Sequence, residues 1–341
     1  VKLSDLGEFG FIDRISRKYP AGDSSVLKGI GDDAAVVSFS GDSVILLTID
    51  QLIEGFHFCR DTIDGWKLGW KALAVNLSDI AAMGGTPTGF VISLGIPAER
   101  ISVKFLDDFY QGLYCLGNKM GVELLGGDTS EGGERLIITV SLLGKADQEK
   151  VVYRDGGQDQ DDLYVTGWLG DASLGLKLIE QEVKKGWAEK IIERHLTPMP
   201  RIREGQLLAE RGIPNSMIDI SDGLLADLNH ILDQSKIGAE IELSRLPLSP
   251  EFQSRAGDYT ENPLNLALGG GEDYELLFSA PSKKRKEVDR LSRELIPPIT
   301  RIGRLSKRIN GILLKDKNGR TKKAEPLGYD HFKTIKNWHK E

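Results

Sequence analysis

The sequence predicts two domains of α/β or α+β class, and three observations carry that expectation. Strand-like and helix-like segments alternate through both halves of the chain. Its 341 residues suffice for two hydrophobic cores. A polar, glycine-containing and charged stretch at residues 146–162 interrupts the alternation where a linker belongs. The expected division is an N-terminal domain over 1–147 and a C-terminal domain over 148–341.

The elements follow in order. Residues 44–49 form a β-branched and aliphatic run ending in Asp50, and 89–95 and 136–143 read as strands on the same grounds. Helical periodicity covers 65–83, closed by Gly84-Gly85, and 103–120. The apolar run 122–125 predicts a strand that ends before Gly126-Gly127. Beyond the linker the pattern gives a strand at 163–166, helices at 172–184 and 201–211, and a strand at 216–220. A helix at 224–234 and a strand at 274–278 continue the series.

Composition narrows the class of function. A formal charge of −7 disfavours nucleic acid, which selects a basic face. The two cysteines, Cys59 and Cys115, lack metal-type spacing, so a reducing compartment is expected. No apolar run reaches membrane-spanning length and no signal-peptide pattern opens the chain, so a cytoplasmic location is expected.

Acidic residues recur beside glycine or at the ends of apolar runs at six separated places. They are Gly31-Asp32-Asp33, Thr48-Ile49-Asp50, Asn76-Leu77-Ser78-Asp79, Gly126-Gly127-Asp128-Thr129, Asp219-Ile220-Ser221-Asp222-Gly223 and Gly270-Gly271-Glu272-Asp273. A carboxylate beside apolar sequence needs a cationic partner. Lysine and arginine are scarce in these stretches, which points to a hard cation such as Mg²⁺, shared with substrate phosphates. Thr48 and Asp50 lie two apart, so both face one side of a strand as an oxygen-donor pair, although a strand end turning to solvent explains them too. Asp79 falls in line with Leu68, Ala72 and Val75 on the predicted 65–83 helix. It also lies about one turn from the C-terminus, where the helix dipole disfavours negative charge. The competing reading is a rim aspartate that reaches water. Gly127 and Asp128 sit where a strand end can approach a phosphate, with a simple glycine turn as the competitor. Ser221 or Asp222 could serve only to cap the following helix, but a cap does not require Asp219. No phosphate-loop motif appears.

The order of these pieces is specific. Gly29-Ile30-Gly31-Asp32-Asp33-Ala34-Ala35, Thr48-x-Asp50-x-x-x-Glu54-Gly55-x-His57-Phe58, Lys71 through Asp79, Gly126-Gly127-Asp128-Thr129, Asp219-x-Ser221-Asp222-Gly223, Gly270-Gly271-Glu272-Asp273-Tyr274-Glu275 and the closing Gly328-Tyr329-Asp330-His331-Phe332 together resemble the thiamine-monophosphate kinase family. The resemblance implies the two-domain fold shared with aminoimidazole ribonucleotide synthetase. In that fold the N-terminal domain binds ATP and Mg²⁺ and pairs through its strands into a homodimer. It implies ATP-dependent phosphorylation of thiamine monophosphate to thiamine diphosphate with several Mg²⁺ ions. By the family pattern, metal falls to Asp33, Thr48, Asp50, Asp79, Asp128, Asp219 and Asp222. ATP falls to Tyr110, Gly127, Asp128, Arg154 and Ser221, and the thiamine moiety to His57, Glu272 and Tyr329. The catalytic assignments implied are Asp50, Asp79, Asp128 and Arg154, while Asp32 is the neighbour whose role the motif leaves open. Two rivals remain: another ATP-dependent synthetase of the same superfamily, and a non-catalytic metal-binding protein. Cys59 is the first cysteine and the chain closes on Trp338-His339-Lys340-Glu341, which disfavours relatives that need a cysteine near either end.

Overall fold

The computed structural model describes residues 3–296, 298–324 and 327–329. Residues 330–332 of the closing motif lie outside them. The chain opens with helix α1 (Leu3–Lys18) and strands β1 (Val26–Lys28), β2 (Ala35–Ser40) and β3 (Ser43–Ile53). Helix α2 (Gly65–Ala82), β4 (Thr86–Ile96), α3 (Val103–Met120), β5 (Glu123–Glu131) and β6 (Ile137–Asp147) follow. These six strands form one sheet in the order β1-β2-β3-β6-β4-β5. Its pairs are antiparallel except β4–β5, which α3 connects as a parallel crossover.

The second half carries β7 (Asp162–Thr166), α4 (Asp171–Glu180), α5 (Gly186–Leu196), α6 (Ile202–Glu210), β8 (Ser216–Asp219) and α7 (Leu224–Ser235). It continues with β9 (Gly238–Glu242), α8 (Pro250–Arg255), α9 (Pro263–Gly269), β10 (Leu276–Ala280), α10 (Arg285–Glu294), β11 (Ile299–Ser306), β12 (Ile312–Lys315) and β13 (Thr321–Lys323). The second sheet has seven strands ordered β13-β12-β9-β11-β7-β10-β8, with β9–β12 its one parallel pair among the described residues. Mixed sheets with helices between them match the expected class.

Three readings need correction. The strand over 122–125 runs on to Glu131, so Asp128 lies inside β5 rather than beyond its end. Gly126-Gly127 reads as a turn in sequence. Here Gly126 lies at the register shift between β4 and β5, and Gly127 approaches Ile92 of β4 so closely that a Cβ would sit 2.1 Å from its carbonyl oxygen. The helix over 172–184 is shorter, because its last turn gives way to a connection into α5. The strand over 274–278 starts two residues later, at Leu276, because Tyr274 takes the left-handed conformation with φ 49°.

Helix α2 organises the molecule. Asp64 caps its N-terminus by accepting from the Lys67 amide at 2.8 Å, and Gly84 ends it at φ 69°. The apolar stripe expected of a surface helix is absent, since almost every residue from Leu68 to Ala82 is buried. The helix packs against β3, β4, β6 and α3 on one side and α5, α6 and β8 on the other. It therefore belongs to both sheets' surroundings. Its contact with α3 is close enough to exclude side chains: a Cβ on Gly69 would lie 1.9 Å from the Phe109 carbonyl, and one on Gly112 would lie 1.9 Å from the Trp66 carbonyl.

That approach predicts a cost for a single methyl group. Gly69→Ala is expected to lower stability by about 1–3 kcal/mol, the usual penalty of overpacking. Urea unfolding of both proteins measures it, and an unchanged midpoint would mean that the helices separate freely.

Candidate active site

The loop before β2, the middle of β3, the end of α2 and the end of β8 deliver acids to one place. Carboxylate oxygens of Asp33, Asp79 and Asp219 lie within 4.8 Å of one another. Thr48 Oγ1 donates to Asp79 Oδ2, and Ser78 Oγ donates to Asp219 Oδ2 at 2.7 Å. Thr48 and Asp50 share the inner face of β3, as their spacing predicts. Ser78 is the residue that the sequence reading passed over. It stands beside Asp79 in the quoted motif, but nothing local marks a role for it.

Arg154, in the connection between the sheets, reaches Asp33 Oδ1 with Nη2 at 2.5 Å and Nε at 3.2 Å. Asp32 turns elsewhere, toward Lys28 Nζ at 3.2 Å and the Arg154 backbone amide at 3.3 Å. The pair thus divides: Asp33 joins the cluster, and Asp32 anchors Arg154.

The electrostatics are those of a site built around a missing positive charge. Burial pushes Asp33, Asp50 and Asp219 up to about 6. Burial also raises Asp79 well above the ordinary value, and the charges of Asp50, Asp219 and Asp33 raise it further. Arg154 opposes this at Asp33 and Asp219. Asp33 Oδ2 is buried with no hydrogen-bond partner among the described residues. An orphaned carboxylate oxygen in an all-oxygen donor set fits a hard divalent cation.

Asp219, Ser221 and Asp222 sit on the strap between β8 and α7. The Ser221 carbonyl accepts from the Glu272 amide at 2.8 Å, and the Ile220 carbonyl accepts from the Tyr274 amide at 2.9 Å. The fifth and sixth acidic segments are therefore laced together. Neither Ser221 nor Asp222 caps α7. Asp227 instead ties the strap to the helix, its Oδ2 accepting from the Asp222 and Gly223 amides at 3.1 and 3.0 Å. Ser221 and Asp222 line the cavity beside the site.

A cavity of about 1380 Å³ adjoins the cluster, lined by Asp50, His57, Ser221, Asp222, Glu272 and Tyr329 among others. His57 is half-buried, and its Nδ1 accepts from the Ile53 amide at 3.0 Å. Glu272 meets Lys71 and His195, two residues to which the sequence reading gave no role. Lys71 carried a faint signal, a lysine inside an apolar helical run. His195 carried none.

Three candidates stand apart. Gly127 pairs across β4 and β6 with Asp50, three strands away, about 14 Å at ordinary strand spacing. Asp128 pairs with Ser93 on the solvent-facing side, and Tyr110 is exposed on α3. In a single copy of the chain these three do not join the acid cluster.

Comparison with known proteins adds context to this geometry. The family model for the N-terminal domain of AIR synthase related proteins matches residues 31–146, and that for the C-terminal domain matches 158–314. The thiamine-monophosphate kinase of Escherichia coli O157:H7 is 38% identical over 331 residues, covering 96% of this chain and 99% of that protein. The thiamine-monophosphate kinase of Aquifex aeolicus is 37% identical, covering 97% and 100%. The solved structure of AaThiL complexed with AMPPCP and TMP superposes with a TM-score of 0.85 at 37% identity, covering 97% of this chain and 99% of that one.

The acid cluster predicts an inverted pH dependence in metal-free protein. Between the ordinary aspartate value of 3.8 and the folded value of about 6, the native state holds protons that the unfolded chain has released. Stability therefore falls as pH rises through that window. Asp79→Asn should flatten the fall and raise stability above pH 7, as thermal unfolding in EDTA across pH 4.5–8 will record. A variant as pH-sensitive as wild type, and no more stable at pH 8, would place Asp79 outside the coupled cluster.

Proposed function

We propose a mechanism for this chain, which belongs to the thiamine-monophosphate kinase family: direct in-line transfer of the ATP γ-phosphoryl group to the phosphate of thiamine monophosphate, assisted by several Mg²⁺ ions. The observation that carries it is the convergence of Asp33, Asp79 and Asp219, from three distant segments, beside a cavity of about 1380 Å³.

Thr48, Asp33, Asp50, Asp79, Asp219 and Asp222 would hold the ions, with Asp128 holding one nearer the outer strand. Ions held by these residues would neutralise phosphate charge and lower the repulsion between two anionic reactants. The chain's own groups do the rest. Arg154 lends a permanent positive charge at the rim of the cluster, fixed by Asp32 and Asp33. Ser221 and the adjoining backbone position ATP, with Tyr110, Gly127 and Asp128 assigned to its outer contacts. The attacking phosphate oxygen is already an anion, so no general base is assigned. His57, Glu272 and Tyr329 receive the thiamine end.

The outer contacts fit a pairing of two copies. Leu47, Ile49, Val91 and Leu143 project from the open face of the first sheet, and β5 is an exposed edge. A two-fold homodimer through this face would cover the apolar patch together with Gly127 and Asp128. Light scattering should give twice the chain mass, and Ile49→Asp should halve it; a monomer at all concentrations contradicts the pairing. We place the reaction in the cytoplasm, where the free thiols of Cys59 and Cys115 would persist.

The acceptor decides the reading. Thiamine monophosphate should support ADP release while free thiamine supports little, because the substrate phosphate is both nucleophile and metal ligand. Asp79→Asn should cut turnover by a hundredfold or more and shift the Mg²⁺ requirement upward. Equal turnover of free thiamine would overturn the assignment, and normal turnover of the variant at low Mg²⁺ would remove Asp79 from it.

A further inference from the structure

The Glu272 carboxylate is gripped from two sides. Lys71 Nζ lies 2.8 Å from its Oε1, and His195 Nδ1 lies 3.0 Å from its Oε2. The three residues come from α2, from α5 and from the loop between α9 and β10, and all three line the large cavity. Lys71 is 1% exposed and His195 7%, whereas the Glu272 side chain keeps 27% of its surface, open to the cavity. A lysine this deeply buried is costly unless its partner is fixed.

The backbone reinforces the grip. Glu272 sits at φ 69°, a left-handed conformation that a glutamate adopts only when its surroundings demand it. Burial alone would raise its carboxyl, but the Lys71 charge, with His195 adding to it, holds the group below the usual carboxylate range. Burial and the Lys71 charge push His195 down, which favours the neutral imidazole, and its buried Nδ1 has Glu272 Oε2 as its neighbour at 3.0 Å. Glu272 is thus ionised, but its charge is already met by Lys71. An ionised carboxylate has about four acceptor sites, and Lys71 and His195 approach one oxygen each. The remaining lone pairs offer a directed acceptor to the cavity rather than an unscreened charge.

The location sets what that acceptor meets. Lys71, Val75 and Asp79 recur every four residues on α2, and the first two line the cavity. Eight residues separate Lys71 from Asp79, about 12 Å of helix. That span is of the order of extended thiamine monophosphate, from its phosphate to its aminopyrimidine ring. With the phosphate at the acid cluster, the ring's amino group reaches the Glu272 end.

We propose that Lys71 and His195 are positioning residues that aim the Glu272 carboxylate at the amino group of the substrate's aminopyrimidine ring, and so set selectivity for an amino over an oxo substituent. This deepens the thiamine-monophosphate reading and rests on it. An oxo group would turn its own lone pairs toward those of Glu272, and a site built to accept a hydrogen bond rejects a partner that cannot donate.

The test measures kcat and KM for thiamine monophosphate and for its 4-oxo-pyrimidine analogue, at saturating ATP and Mg²⁺. It uses wild type, Lys71→Met, His195→Leu and His195→Asn, whose amide can replace the Nδ1–H donor. Wild type should favour the amino substrate by at least about a hundredfold in kcat/KM. Lys71→Met and His195→Leu should raise KM for thiamine monophosphate tenfold or more and shrink the preference as much, while KM for ATP moves less than twofold. His195→Asn should restore most of the preference. Equal use of both substrates by wild type overturns the inference even if Lys71→Met does not fold. So does an undiminished preference in His195→Leu. Failure of wild type to use thiamine monophosphate at all would instead overturn the kinase reading, and this inference with it.

Discussion

The carboxylates of Asp33, Asp79 and Asp219 crowd within 4.8 Å of one another, with Asp50 adding its charge, and the architecture holds together groups that repel when ionised. Asp33 arrives on the loop before β2, Asp50 on β3, Asp79 on α2 and Asp219 on β8 of the other sheet. Each pays a desolvation cost, and each raises its neighbours further. Only a scaffold braced on every side can keep such groups together. The hydrogen bonds from Thr48 and Ser78, and the ion pair from Arg154, hold the carboxylates in place without neutralising the set.

The bracing comes from both sheets. β3 supplies Thr48 and Asp50 from the inner face of the first, while β8 and the strap to α7 supply Asp219 and Asp222 from the second. Asp227 ties that strap to α7, and the backbone bonds from Glu272 and Tyr274 tie it to the loop opposite. Two positive-φ residues in this loop, Glu272 and Tyr274, mark where local preference yields to the demands of the site.

The sequence exposed the acids but not their company. Thr48 and Asp50 could be placed on one face because a strand repeats every two residues, and the long helices 65–83 and 103–120 were readable from their periodicity and glycine stops. Asp79 was noticed for sound electrostatic reasons, but the apolar stripe used to orient it proved irrelevant on a helix buried all round. Asp128 was misplaced relative to its strand because Gly126-Gly127 signals a turn as strongly as a bulge. Ser78, Lys71, His195 and Asp227 escaped for a shared reason: each acts through a partner far away in sequence, or through backbone amides, and no local pattern encodes that. For Lys71, His195 and Ser78 the meaning lies in contacts that only the folded chain creates.

Helix α2 has a mechanical consequence. It is wedged between elements of both halves, so swinging the two sheets apart would pull Trp70 from Pro198, Ser78 from Asp219 and Ala81 from Gly205 at once. A wide clamshell motion is therefore an expensive way to exchange reactant for product. The cheaper route is through parts that cover the cavity without belonging to either core. Glu8 on α1 and the segment at Gly328 and Tyr329 are the pieces so placed. The molecule should breathe at its rim while its centre stays still.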